Sequence, residues 1–230
     1  MTSNTSQSAN TPPIVFILDC DNTVLDNDAV KSEMDTRLRN LLGAALTEEF
    51  WRIYENVRDQ SGTVNLPATF AELRLALSSD NRLELARRVV MDFPFQSYLY
   101  PTTLDTLDTL KRHGMPVIVS DGDTVYQPHK IIQSGLASAV NDQWVVYIHK
   151  EERLDAIMER WPARFYVMID DKARILAETK ARRPDRFVTI HIRQGHYAAA
   201  TASPAPDLAL DSIGAVRDLD FASLSDYLRR

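Results

Sequence analysis

Asp19 and Asp21 stand one residue apart at the end of a short apolar run, and Asp170 and Asp171 stand side by side at the end of another. Carboxylates crowded beside buried chain lose hydration and repel one another, so something must compensate them. A hard divalent cation such as Mg²⁺, which prefers oxygen ligands, would do so. If the two runs are neighbouring strands, all four carboxylates reach one small volume. Two further run ends supply complementary groups. Residues 117–119 lead into Ser120-Asp121-Gly122, where a hydroxyl and turn amides suit a phosphate oxygen. Residues 144–148 lead into His149-Lys150, which places a cation beside the acids. With Asp19, Asp170 and Asp171 ionised against a phosphate dianion, Mg²⁺ and Lys150 offset the negative charge. Asp21 can then stay protonated as an acid.

The elements that would position these groups are legible. Residues 14–18 (Ile-Val-Phe-Ile-Leu) follow Pro12-Pro13 and are unbroken and β-branched-rich, the pattern of a strand buried on both faces. Similar runs recur at 117–119, 144–148, 165–169 and 187–192, with helical patterns at 103–112, 128–133, 151–160 and 173–181 between them. Gly114 and Gly135 sit where helices should stop. The alternation predicts a three-layer α/β/α core around a parallel sheet. Residues 28–97 interrupt it with four helical patterns, at 30–46, 48–59, 70–77 and 82–91. Thr69 and Glu72 have the spacing of a capping box within this stretch. It reads as a small helical domain inserted into a core formed by 12–27 and 98–230. Residues 201–207 read as a surface loop, and 207–220 as a last short strand and helix.

Composition narrows the classes. Hydrophobic residues make up 44% and charged residues 25%, the balance of a globular protein, and the net charge of −6 offers no footprint for nucleic acid or anionic membrane. No apolar run approaches the roughly 20 residues that span a bilayer. A single cysteine, Cys20, excludes an internal disulfide framework and a multi-cysteine zinc site. Residues 1–11 are polar, lack the features of a secretory signal and read as a disordered tail. A cytoplasmic protein is the expectation, and oligomeric state stays open.

Blander roles compete at each position. Asp170-Asp171 alone could cap the following helix. Cys20 reads as packing, with its side chain away from the flanking acids. Asp26, Asp121 and Asp123 read as loop formers first. His129 and His149 have no second His or Cys at metal-ligand spacing, and His191 and His196 read as part of a strand and of the loop after it. Phe50, Trp51 and Tyr54 read as core, with some able to line a pocket.

The four acidic and polar segments, in order, resemble the motifs of the haloacid dehalogenase-like superfamily. The first, Asp-x-Asp-x-Thr after a hydrophobic strand, is Asp19-Cys20-Asp21-Asn22-Thr23; the second is Ser120; the third is Lys150, with Lys130 as its rival; the fourth is Asp170-Asp171. The resemblance spans about residues 14–193. It implies a Mg²⁺-dependent phosphohydrolase acting on a small-molecule phosphate monoester, with a helical cap over the site. Asp19 would be the nucleophile and form an aspartyl-phosphate, and Asp21 the general acid and base. Ser120, Lys150 and Thr23 would serve the phosphate. Asp19, the backbone carbonyl of Asp21, and Asp170/Asp171 would hold the metal, Asp171 ahead of Asp170 because Asp170 occupies a place more often glycine. A phosphomutase shares these motifs. Members that dehalogenate lack the second aspartate, which is present here as Asp21. A phosphonatase would need a lysine from the cap, and Lys31 is the only one there. A non-catalytic binding module on the same scaffold is the alternative from another class.

Overall fold

The computed structural model describes residues 13–62, 64–76 and 80–229. The expected tail at 1–11 and the end of the expected helix at 77 fall outside them. β1 (Ile14–Leu18) is buried at all five positions. Its side chains alternate: Ile14, Phe16 and Leu18 enter one apolar cluster, Val15 and Ile17 the other. That explains the unbroken apolar run, because both faces are covered. Each such side chain contributes about 1.5–3 kcal/mol when fully buried.

The remaining strands are β2 (Met115–Asp121), β3 (Trp144–Tyr147), β4 (Phe165–Asp170), β5 (Phe187–Ile192) and β6 (Leu208–Leu210). All pair in parallel, in the order β3-β2-β1-β4-β5-β6. From α5 (Thr103–His113), α6 (Tyr126–Gln133) and α7 (Leu136–Ala139), Leu107, Leu110, Ile131 and Leu136 pack on one face. From α8 (Leu154–Arg160) and α9 (Ala173–Arg182), Leu154, Ile157 and Leu176 pack on the other. This is the three-layer α/β/α arrangement expected. The chain first builds outward from β1 through β2 and β3, then resumes on the opposite side with β4. The strand order therefore reverses between β1 and β4, and in such sheets the crevice beyond the carboxyl ends at that point receives the ligand.

Register decides what meets there. Leu18 pairs with Ile169 on one side and Ile118 on the other. Asp19 is thus brought beside Asp170. Gly114 makes the approach of α5 to β1 possible. Its amide closes the helix on the Leu110 carbonyl at 2.9 Å, and a Cβ there would lie 2.4 Å from the Ile14 carbonyl oxygen.

Between β1 and α5 lie α1 (Asn27–Leu42), α2 (Ala44–Ser61), α3 (Leu66–Ala76) and α4 (Asp80–Met91). Two expectations change here. The helix expected over 30–46 breaks at Gly43, whose φ of 81° turns the chain into α2. Thr69 is not a cap but an interior residue of α3, its hydroxyl donating to the Asn65 carbonyl at 2.9 Å. Asn65 itself caps, its side-chain oxygen accepting from the Ala68 amide at 3.0 Å. The helix expected over 151–160 is also split, into a 3-10 turn at Lys150–Glu152 and α8.

Candidate active site at the carboxyl ends of the first and fourth strands

The loop after β1 is held by its own backbone. The Asp19 amide continues the sheet by donating to the Ile169 carbonyl at 3.0 Å, and the Val24 and Leu25 amides donate to the Cys20 carbonyl at 3.1 and 3.0 Å. Asn22 takes the left-handed conformation, with φ of 58°, which asparagine tolerates better than most residues. Cys20 is fully buried in the apolar core, and burial, with Asp21 and Asp19 adding to it, pushes its thiol well above the ordinary range.

Asp19, Asp170 and Asp171 converge, each offering an oxygen within 4.8 Å of the others. All three are buried. Lys150 sits among them. His149, in the left-handed region at φ 61°, turns the chain so that the Lys150 amide donates to Asp121 Oδ1 at 2.8 Å. The ammonium then reaches back to pair with Asp19 Oδ1 and lies 2.7 Å from Asp170 Oδ2. Burial alone would push this lysine down, but Asp170, Asp19 and Asp121 hold it well above the usual lysine range. Burial likewise pushes Asp19 up, yet Lys150 and Lys172 together bring it below the usual carboxylate range. Asp170 stays raised, by burial and by Asp19, against the pull of Lys150.

Asp171 differs from its neighbours. Asp170 Oδ1 also accepts from the Lys172 amide at 2.8 Å, whereas neither Asp171 oxygen has a hydrogen-bond partner among the described residues. Burial first, then the charges of Asp170 and Asp19, push it up to about 9. Asp19 Oδ2 is likewise without a partner. Buried carboxylate oxygens without donors, grouped within a few ångströms, are what a hard cation requires of its ligands. The donor set therefore fits a divalent metal.

The fourth carboxylate is not in this group. Asp21 is bonded by Lys130 Nζ at 2.8 and 2.9 Å, and Lys130 also donates to Asn27 Oδ1 at 3.0 Å. The two lysines weighed as rivals thus divide the work: Lys150 serves Asp19 and Asp170, Lys130 serves Asp21. Asp21, Lys130, Asp171 and Lys172 line a cleft of about 280 Å³ whose far wall is built by α1 and α2, including Lys31, Met34, Phe50, Trp51 and Tyr54.

Ser120 is buried at the end of β2 and accepts from Gln127 Nε2 at 2.9 Å. Thr23 is fully buried, its hydroxyl has no partner among the described residues, and it is not part of the cleft wall. Asp26 caps α1 by accepting from the Ala29 amide at 2.9 Å, and Asp123 accepts from the Val125 and Tyr126 amides at 2.7 Å, as loop formers do. His196 Nδ1 lies 2.7 Å from Asp28 Oδ1, tying the start of α1 to the loop after β5. Sequence reasoning passed over Lys172, although a lysine directly after a strand-end acidic pair is a readable signal. It also gave Gln127 no role.

Among solved structures, a protein from Burkholderia xenovorans LB400 assigned as a haloacid dehalogenase-like hydrolase is similar at 41% sequence identity, with a TM-score of 0.82. The match covers 90% of this chain and 99% of that one. This chain belongs to the haloacid dehalogenase-like hydrolases. The L-2-haloacid dehalogenase of Xanthobacter autotrophicus is similar at 16% identity, with a TM-score of 0.59 over 89% of this chain and 97% of that one. The magnesium-bound HAD-hydrolase YfnB of Bacillus subtilis is similar at 14% identity, with a TM-score of 0.57 over 86% and 94%. At those identities the likeness is one of fold. No sequence-family profile matches the chain, and no curated protein does. No helix among the described residues is long and apolar enough to cross a membrane.

Proposed function

We propose that this hydrolase is a Mg²⁺-dependent phosphatase of small phosphate monoesters that works through an aspartyl-phosphate on Asp19. The observation that carries the reading is the buried Asp19-Asp170-Asp171 group, with unpartnered oxygens on Asp171 and Asp19, at the base of a cleft that also exposes Asp21. When bound, the cation would neutralise these acids and polarise a phosphoryl oxygen. Asp19, Asp171 and, behind them, Asp170 would hold it, with the backbone carbonyl of Asp21.

Asp19 would attack through one carboxylate oxygen and meet the cation through the other, with Lys150 paired to Oδ1. As the new bond to phosphorus forms, the bond from phosphorus to the leaving oxygen breaks. The Asp21–Lys130 pair supplies the proton that the leaving alkoxide takes up, the Lys130 ammonium as its source and Asp21 as its carrier. In the second half Asp21 receives a proton from the water that attacks the aspartyl-phosphate. Lys150, Lys172 and the Ser120 hydroxyl would meet charge on the phosphoryl oxygens. The α1–α4 insertion serves as a cap, excluding bulk water and shaping what leaving group fits.

Release of inorganic phosphate from p-nitrophenyl phosphate, dependent on Mg²⁺ and abolished in Asp19→Asn, tests this. Sugar phosphates assayed for isomerisation separate a mutase. Halide release from an L-2-haloacid without phosphate release from any ester would overturn the reading.

A further inference from the structure

The cations around the cleft are not equally engaged. Lys130 is bonded to Asp21 and Asn27. Arg58 is paired with Glu55 at 2.7 Å and lies 3.6 Å from Asp59. Lys172 faces the acidic group at the base, where Asp19, Asp170 and Asp171 hold it charged against Lys150. Lys31 is different. It lines the cleft from α1, on the same helix face as Asn27 and Met34, and among the described residues it has no ion pair and no hydrogen bond. Its one polar contact is with the Tyr54 ring, whose centroid lies 5.3 Å from Nζ. The nearby Glu55 is taken by Arg58.

Burial draws Lys31 below the ordinary lysine range, and Arg58 and Lys130 press in the same direction against Glu55 and Asp21. A half-buried ammonium with like charges around it and no carboxylate on it is held at a cost, which an incoming anion would relieve. The wall beside it is aromatic and apolar: Trp51, Tyr54, Phe50 and Met34. Given the phosphatase reading above, on which this inference rests, we propose that the leaving alcohol of the substrate carries a second anionic group, received by Lys31. A carboxylate, a sulfonate or a further phosphate shares the chemistry required. Lys31 would thereby determine specificity at the end of the cleft formed by the insertion.

The test uses phosphate monoesters whose alcohol carries a carboxylate at graded distances from the ester oxygen, each beside its neutral carboxamide counterpart, with Mg²⁺. The readout is the ratio of kcat/KM values within each pair. Wild type should prefer at least one carboxylate by about tenfold or more, a charge-assisted hydrogen bond being the source. Lys31→Gln should bring that ratio close to one, and Lys31→Arg should keep most of it; Lys31→Met is read in the same way should the glutamine variant fold poorly. Titration calorimetry with the matching non-hydrolysable phosphonates reads binding without turnover. Absence of any preference in wild type, or a preference unchanged in Lys31→Gln, overturns the proposal while leaving the phosphatase reading intact. Silence toward every ester, with the carboxylated phosphonate still bound more tightly than its amide in wild type alone, sinks the phosphatase and keeps the anion site.

Discussion

Replacing Asp171 with asparagine should stabilise the metal-free protein. Asp171 is fully buried, neither oxygen accepts a hydrogen bond among the described residues, and two other carboxylates lie within 4.8 Å. Burial and those charges push it from 3.8 up to about 9, so folding at neutral pH requires a proton that the unfolded chain does not hold. Because the folded value exceeds the unfolded one, its contribution is fully present below pH 3.8 and is lost as pH rises toward about 9. The slope in that window is about 1.4 kcal/mol per pH unit, which accumulates to roughly 4 kcal/mol at pH 7. Water entering the cleft and small side-chain shifts relieve part of this, so Asp171→Asn should gain about 2–4 kcal/mol in excess EDTA at pH 7. For a domain of this size that is roughly 4–16 °C in Tm. At pH 5 the gain should fall below about 2 kcal/mol. Mg²⁺ should remove most or all of the advantage, because wild type gains about 2.7 kcal/mol at a hundred times Kd and the variant much less. Differential scanning calorimetry at both pH values, with EDTA or Mg²⁺, reads all four conditions. A well-folded variant that melts below wild type in EDTA at pH 7, or a difference that ignores pH, would refute the reasoning.

Four further changes probe other parts of the molecule. Lys130→Met strips both bonds from Asp21, which is 24% exposed, so the loss should be about 2–3 kcal/mol, less than for a fully buried pair; thermal melts measure it, and phosphatase turnover should fall with it. Gly114→Ala places a Cβ 2.4 Å from the Ile14 carbonyl oxygen, and urea unfolding should show a cost of about 1–3 kcal/mol, whereas an unchanged midpoint would mean the α5–β1 approach is looser than it stands here. Asn65→Ala removes the cap of α3 and should cost about 1 kcal/mol in the same assay, while Glu72→Ala, the other half of the capping box expected from sequence, should cost almost nothing.

The sheet was legible because strands buried on both faces, such as β1 and β4, leave apolar runs in the sequence, and half-buried β3 and polar-interrupted β5 still read as runs beside them. Even the sharing of labour between β1 and β4 followed from reading Asp19 and Asp170-Asp171 as strand-end groups. The helix limits were less legible. Gly43 interrupts an apolar pattern that continues on both sides, and periodicity alone does not distinguish a bend from an uninterrupted helix. Asn65 and Thr69 both offer capping chemistry, and only the first turn's position decides between them. The lysines show the limit most clearly. Lys130 and Lys150 are identical in type, and only position separated them: Lys150 follows a strand end, Lys130 lies inside a helix pattern. Which one meets Asp19 depends on the left-handed turn at His149 and on the direction in which α6 presents its buried face. Strand-end position pointed to Lys150, while the pairing of Lys130 with Asp21 left no pattern in the sequence. Lys31 is hidden for a further reason: an unengaged cation is defined by every carboxylate that does not reach it, and that is a property of packing between α1, α2 and the sheet. Local sequence therefore carries the groups that strands deliver to a common edge. The charge balance among those groups exists only once the helices have closed over them.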